Sequence, residues 1–530
     1  MIKKFRVAKK IQSLKHSSKS GKNVSQPINF LHRNIEKNLT TMQNSLGTST
    51  DIKYREFQAH YYQSISVFIC FVDGLVNEDV INMHIVKPLL EPNIHSNSAP
   101  TEDYYTYIKK RIISTSSLKE SNILDDVTEG VLSGETAIFI NGFDHVLLVG
   151  TQGFEARSVE QPDTESSVRG SREGFNEVLK VNTSLIRRKI NNPNLFFEEM
   201  KIGKQTKTKI RIGYINGIAD SKVVEEVRNR LERIDTDMIL ESGYLEQYIE
   251  DHPYSIFPTV ANSEKPDKIA AKLLEGRVAI FCDGTPFVLT VPHLFIETLQ
   301  VGEDYYSRPY FASLLRLFRV LALLLTIATP SLFVAIATYH QEMVPSLLLV
   351  TMAAAEEKVP FPVFIEALMM IIVFELLKEA GVRMPRPVGS AISIVGALVI
   401  GEAAVQAGIV SAPMVIVIAL TAISGFVVTA LTDAVVLSRF FLLFSAASFG
   451  FYGILMATLV LLGHMCSLRS FGSPYLAPIA PIILSEWKDA LIRLPLWLQK
   501  SRPQSVTRKK SKREKSLKNQ PNHPQIQKGD

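Results

Sequence analysis

From residue 311 onward the sequence is dominated by apolar runs, near 317–338, 361–379, 388–410, 413–437 and 440–463, with a shorter one at 343–355. Most reach the roughly 20 residues that a membrane-crossing helix needs, so this half reads as an all-α polytopic membrane domain, residues 301–486. The opening MIKKFRVAKKIQSLKHSSKSGK is basic and polar with no apolar core. It does not read as a signal peptide, and the residues before about 300 are expected in the cytoplasm. Five long runs would leave the two basic ends on opposite sides, whereas the positive-inside rule asks for an even number of crossings. Arg383, Arg386 and Arg439 suggest cytoplasmic turns, and the shorter run is too short to cross unaided.

Charge is placed unevenly. Residues 1–23 hold eight Lys or Arg and no acid, and residues 500–530 hold ten against two acids, so the net charge of +6 leaves −10 for residues 24–499. Basic ends on an acidic body argue against nucleic-acid binding. They suit disordered arms, 1–50 and 487–530, that are either plain solvated tails or lie near anionic membrane lipid. Cys70, Cys282 and Cys466 are far apart without metal-ligand spacing, so neither a disulfide framework nor a metal site is suggested.

The polar half contains a repeat. FVDGLV at 71–76 matches YINGIA at 214–219, and LSGETAIFINGFDHVLLV at 132–149 matches LEGRVAIFCDGTPFVLTV at 274–291. Two matches at nearly one offset indicate a duplicated module. In each copy β-branched and aromatic runs end in Asp-Gly or Asn-Gly, helical periods such as SKVVEEVRNRLERI follow, and Asn141-Gly142 or Asp283-Gly284 breaks a later apolar pair as a hairpin would. Two small α/β modules are expected, 51–200 with a charged loop and 201–300. No Walker, dinucleotide-binding, HExxH or Ser/His/Asp motif is present, so nothing points to catalytic residues, an enzyme or a cofactor.

Within ISIVGALVIGEAAVQAGIV (392–410) a helical wheel separates two faces. Ser393, Gly396, Ala397, Gly401 and Ala404 share an arc of about 140°, and Val395, Val399, Glu402 and Gln406 fall on the opposite side. Small residues let membrane helices approach closely. A carboxylate facing hydrocarbon costs several kcal/mol, so Glu402 faces either a hydrated axis or a polar partner on a neighbouring helix. Around a ring of copies, Val395 and Val399 would form an apolar constriction, and Glu402 and Gln406 a cation-attracting ring. Glu366 sits inside another apolar run, to line a path or bond a partner helix. Glu375, Lys378 and Glu379 gather at that run's end, with Glu375 and Lys378 spaced to pair. His340 stands in HQEMVP before the shorter run, in a cavity-lining turn or an external loop.

Between the two modules the mixed charge around Arg169, Arg172 and Glu173 forms a loop leading into a helix near Phe175, either solvated or an ion-paired docking surface for a partner subunit. The ordered set ESSVRGSREGF (165–175), HQEMVP (340–345), RMPRPVGSAISIVGALVIGEAAVQAGIVSAPMVIV (383–417) and CSLRSFGSPYLAPIAP (466–481) resembles the A subunit of GerA-type spore germination receptors over roughly residues 50–490. The resemblance implies an endospore-forming bacterium, the inner spore membrane, and assembly with a transporter-like B subunit and a lipoprotein C subunit. It also implies self-association into a nutrient-gated ion channel. Asp433, in a stretch that departs from the family pattern, is assigned no role. A secondary transporter is the competing class, but it would carry inverted repeats in the membrane half; a membrane scaffold for receptor partners is a third reading.

Overall fold

The computed structural model describes residues 29–507 apart from 48, 61–63, 92–103, 114–116, 154–161, 163–164, 166–168 and 384–400. It divides into two compact units, 1–154 with 191–193, and 155–190 with 194–530.

The first unit is built on a five-stranded antiparallel sheet of β1 (Ile52–His60), β2 (Ser64–Val72), β3 (Leu118–Ser121), β4 (Glu135–Ile140) and β5 (Val146–Gly150), in the order β1-β2-β4-β5-β3. Strand period sends alternate side chains to opposite faces. Phe68, Cys70 and Val72 of β2 enter one apolar cluster with Met42, Leu46 and Val127, while Val67 and Ile69 enter another with Ile81, Ile85 and Leu89. Both sheet faces are therefore covered by helices: Ile35–Leu46 and Leu124–Leu132 on one side, the helical stretches 78–90 and 104–112 on the other. Asn34 starts the Ile35–Leu46 helix by accepting from the backbone N–H groups of Glu36 and Lys37, which satisfies two donors that the first turn leaves free. The expectation of a disordered arm through residue 50 is corrected here, because Met42 and Leu46 are wholly buried.

The second unit opens with the duplicate. β6 (Leu195–Ile202), β7 (Thr208–Ile215), β8 (Ala261–Ser263), β9 (Val278–Cys282) and β10 (Val288–Val291) pair in the order β6-β7-β9-β10-β8, the same arrangement strand for strand. Helices Leu179–Lys189 and Pro266–Leu274 cover one face, and Ser221–Glu232 and Ser242–Ile249 the other. The two expected hairpins are present as β4–β5 and β9–β10, with Gly142 and Gly284 in the left-handed region at φ 92° and 89°. The boundary expected at 200 falls inside β6, and the second module begins with the segment around Phe175, which is buried against Phe281.

Helices follow: Pro309–Tyr339, Ser346–Glu356, Val363–Arg383, residues 401–406, Ala412–Gly425 and Thr432–Ser467. Among the described residues, the segments Pro309–Tyr339 and Thr429–Ser467 are long and apolar enough to cross a membrane. The run expected at 413–437 is split, its first helix ending at Gly425 and the next beginning at Thr432. That second helix breaks at Gly450, φ 60°, where a Cβ would lie 2.9 Å from the His340 ring and 3.0 Å from Tyr339. Arg439, seven residues after the start of the Thr432–Ser467 helix, is buried; it donates to Glu375 and to the Thr326 carbonyl, each at 2.9 Å.

After Ser467 the chain returns to the second module. Phe471 and Gly472 make a tight turn between Arg469–Ser470 and Ser473–Pro474, with both residues at positive φ. Phe471 inserts into the module's core beside Val223, Val227 and Ile249. Residues 487–507 continue as packed structure, with Ala490 and Val506 buried among Leu294, Ile296 and Ala477. The disordered tail placed from 487 is corrected for these residues: their buried apolar side chains lack a regular period, so composition alone left them looking like a basic tail.

Candidate functional site: polar groups within the apolar helices

Carboxylates in an apolar bundle need partners. Glu366 is buried and its Oε1 accepts from the Ser411 backbone N–H and hydroxyl, both at 2.6 Å. Ser411 precedes the first turn of the Ala412–Gly425 helix, so the carboxylate sits where free N–H groups and the helix dipole favour negative charge. Glu375 takes Arg439 at 2.9 Å, with Lys378 at 3.8 Å. The His340 ring lies 4.7 Å from that of Phe451.

Glu402 and Gln406 differ. Both are exposed on the short helical stretch 401–406, and Gln406 Nε2 donates to Glu402 Oε1 at 3.1 Å. Among the described residues Glu402 has no other partner. Gly401 is buried beside Val415, and Ala404 packs in the cluster of Ala367, Ile371, Val410 and Met414. Ser393, Val395, Gly396, Ala397 and Val399, together with Arg386, lie outside the described residues.

The charged loop divides its residues between two tasks. Glu165 takes Lys268 and Ser263, each at 2.5 Å; burial pushes its pKa up, but Lys268 and the Ser263 hydroxyl outweigh this and leave the carboxyl below its usual value. Glu173 pairs with Arg188 at 3.4 Å and Lys189 at 3.3 Å. Arg169 and Arg172 are exposed.

Sequence reasoning missed two clusters, one joining the module to the turn after the last long helix and one at the module's own end. In the first, Arg230 lies 4.3 Å from the centre of the Phe471 ring and 2.8 Å from both Glu226 and Asp251. Asp251 Oδ2 in turn accepts the Phe471 N–H at 2.7 Å. The Phe-Gly pair in RSFGSPY was the available signal for that turn. In the second, Glu297 lies between Arg277 at 2.5 Å and Lys272 at 3.3 Å, beside His293. Burial opposes ionisation of Glu297, but the two cations hold it well below the usual carboxylate range; burial pushes Lys272 down to about 8.

A duplicated three-layer α/β module leading into a bundle of apolar helices with internal carboxylates defines a class of membrane-associated protein with a modular polar half. More narrowly, the chain belongs to the GerA family and is a spore germination receptor A subunit: the Bacillus/Clostridium GerA spore germination protein family matches residues 40–505. It is 45% identical over 476 residues to spore germination protein KA of Bacillus subtilis (strain 168), covering 89% of this chain and 87% of that protein. It is 37% identical over 485 residues to spore germination protein GerLA of Bacillus cereus, covering 91% and 97%. A further relative, 41% identical over 477 residues and covering 90% and 92%, is the membrane protein YfkQ of Bacillus subtilis (strain 168). The crystal structure of the N-terminal domain of the A subunit of the Bacillus megaterium spore germinant receptor GerK3 is similar at 35% identity and a TM-score of 0.41, over 51% of this chain and 99% of that one.

Proposed function

We propose that this A subunit associates with copies of itself, and with a transporter-like B and a lipoprotein C subunit, into a nutrient-gated ion channel of the inner spore membrane, with its N-terminal modules in the cytoplasm. The observation that carries the reading is the contrast among carboxylates. Glu366 and Glu375 are engaged by other helices of the same chain, whereas Glu402 and Gln406 stand exposed and, among the described residues, bond only each other. An exposed carboxylate in an apolar helix calls for water or another copy rather than lipid. A ring of copies turned this way attracts cations, and Val399 and Val395, one and two turns earlier on the wheel, supply the apolar constriction that closes it. Arg169 and Arg172, exposed in the loop, are offered to a partner's carboxylates.

The test is potassium flux from liposomes holding the receptor with its partner subunits. Glu402→Ala should reduce the flux evoked by nutrient, and Val399→Ala should leak without nutrient. Wild-type flux in both variants contradicts the assignment.

A further inference from the structure

We infer that the returning segment 478–498 is itself a lipid-contacting element that lies in the bilayer boundary beside the Pro309–Tyr339 helix. Its burial is inverted relative to a water-exposed loop. Ile482, Leu484, Ile492 and Leu496 are 72%, 78%, 59% and 55% exposed, whereas Arg493 is 4% exposed. Scattered exposed apolar residues are ordinary, but a stretch that turns its large aliphatic groups outward and its charge inward is built for apolar surroundings.

Apart from Arg493 Nε, which has no hydrogen-bond partner among the described residues, the segment's charged groups named next find theirs within the protein, as polar groups at membrane depth must. Arg316, on the first turns of the Pro309–Tyr339 helix, donates to the carbonyls of Asp489 and Ala490 at 2.7 and 2.8 Å and pairs with the Asp489 carboxylate at 3.1 Å. Arg493 donates to the carbonyls of Ser307 and Tyr305 at 2.7 and 3.1 Å. Glu486 accepts from the backbone N–H of Ser505 at 3.0 Å and from its hydroxyl at 2.9 Å. Every charge used here is turned toward protein.

Depth comes from the helices the segment touches. Ala477, just before the segment, and Ala490 within it belong to the cluster against which Val320 and Leu323 pack, about 17–21 Å along a helix that begins at Pro309. Ala480 packs against the cluster of Ala434 and Met465, which lie near the two ends of the Thr432–Ser467 segment. Farther on, the Arg493 N–H donates to the Ser313 hydroxyl at 3.0 Å, near the first turn. The segment thus lies level with the first half of the Pro309–Tyr339 helix and the ends of the Thr432–Ser467 segment, the zone where tryptophan is enriched in membrane proteins. Both tryptophans of the 530-residue chain, Trp487 and Trp497, lie in it. The indole N–H of Trp487 reaches the Pro478 carbonyl at 3.3 Å. The occupant is the lipid of the bilayer that holds these two helices, because the exposed face continues theirs. The inference does not depend on conduction.

Those two tryptophans make the test direct. The full chain, reconstituted alone in phosphatidylcholine vesicles, is compared in lipids brominated near the headgroup end or near the methyl end of the acyl chain, with acrylamide as the aqueous quencher. The expected result is strong loss of tryptophan emission to the shallow bromines, weaker loss to the deep ones, and little to acrylamide. Trp487→Phe and Trp497→Phe then apportion the signal. Quenching by acrylamide and not by bromolipid overturns the inference by placing the segment in water. Shielding from both quenchers overturns it equally, by assigning the surface to a second copy.

Discussion

Glu366 and Ser411, 45 residues apart, meet through two hydrogen bonds of 2.6 Å at the start of the Ala412–Gly425 helix. One carboxylate oxygen satisfies a backbone donor and a hydroxyl in a place that water does not reach. Glu366→Ala leaves both unsatisfied and is expected to cost about 1–3 kcal/mol. Glu366→Gln keeps an acceptor and should cost less. Thermal unfolding in detergent ranks the two; equal loss in both variants would show that the charge, not the acceptor, is what matters.

Phe471 fastens the chain to the second module after the last long helix. Its replacement by Ala empties a buried aromatic site and is expected to cost about 3–5 kcal/mol. Limited proteolysis should then cut within 468–475 at a lower protease concentration than in the wild type. An unchanged pattern would mean that Arg230 and Asp251 hold the turn without the ring.

Glu297 lies between two cations with little access to water. Removing one member of a buried ionic cluster leaves the others uncompensated, at about 3–5 kcal/mol. Glu297→Ala should therefore destabilise the second module by that amount, read as faster amide exchange in β9 and β10. Exchange at the wild-type rate would show that water compensates Arg277.

Glu246 predicts a pH dependence. Burial, then Glu250 and Glu241, push its carboxyl up to about 7, with Asn262 acting in the opposite direction; Glu250 is itself raised, first by burial and then by Asp251, against the Thr259 N–H. An acid whose folded pKa lies above its unfolded value binds more protons in the folded state between the two values. Stability conferred by the protonated form is thus present at pH 4.5 and declines as pH rises to 7. Glu246→Gln should flatten the melting temperature of the module over that window and raise it at pH 8. A wild-type slope in the variant would assign the titration to Glu250.

The repeat was legible because duplicated strands keep their turn chemistry: Asn141-Gly142 and Asp283-Gly284 each need left-handed backbone, and no other residue type serves as well. The helix Ile35–Leu46 escaped notice because its buried side chains, Met42 and Leu46, acquire meaning only once the open sheet face exists. The partner of Arg439 was not legible, because Glu375 arrives from another helix, a pairing that local pattern does not encode. The division of the 413–437 run turns on Gly425, one glycine among several in the helices. Residues 487–507 pack through contacts with the distant 294–296 region, so no local period announced them. For Glu402, the wheel separated its face from that of Gly401 and Ala404 by periodicity alone; Gly401 is buried, Ala404 half-buried and Glu402 exposed, while the rest of that wheel lies outside the described residues.

Exposure of Glu402 to water along a conducting path is the claim on which the proposed function rests, and cysteine accessibility reads it most directly. Glu402→Cys receptor in potassium-loaded liposomes is treated with a charged, membrane-impermeant thiol reagent, with Cys466→Ser removing the exposed native cysteine. The account predicts rapid modification at 402 and loss of nutrient-evoked potassium efflux. A thiol at 402 that ignores the aqueous reagent, yet reacts with a lipid-soluble maleimide while efflux persists, would contradict it.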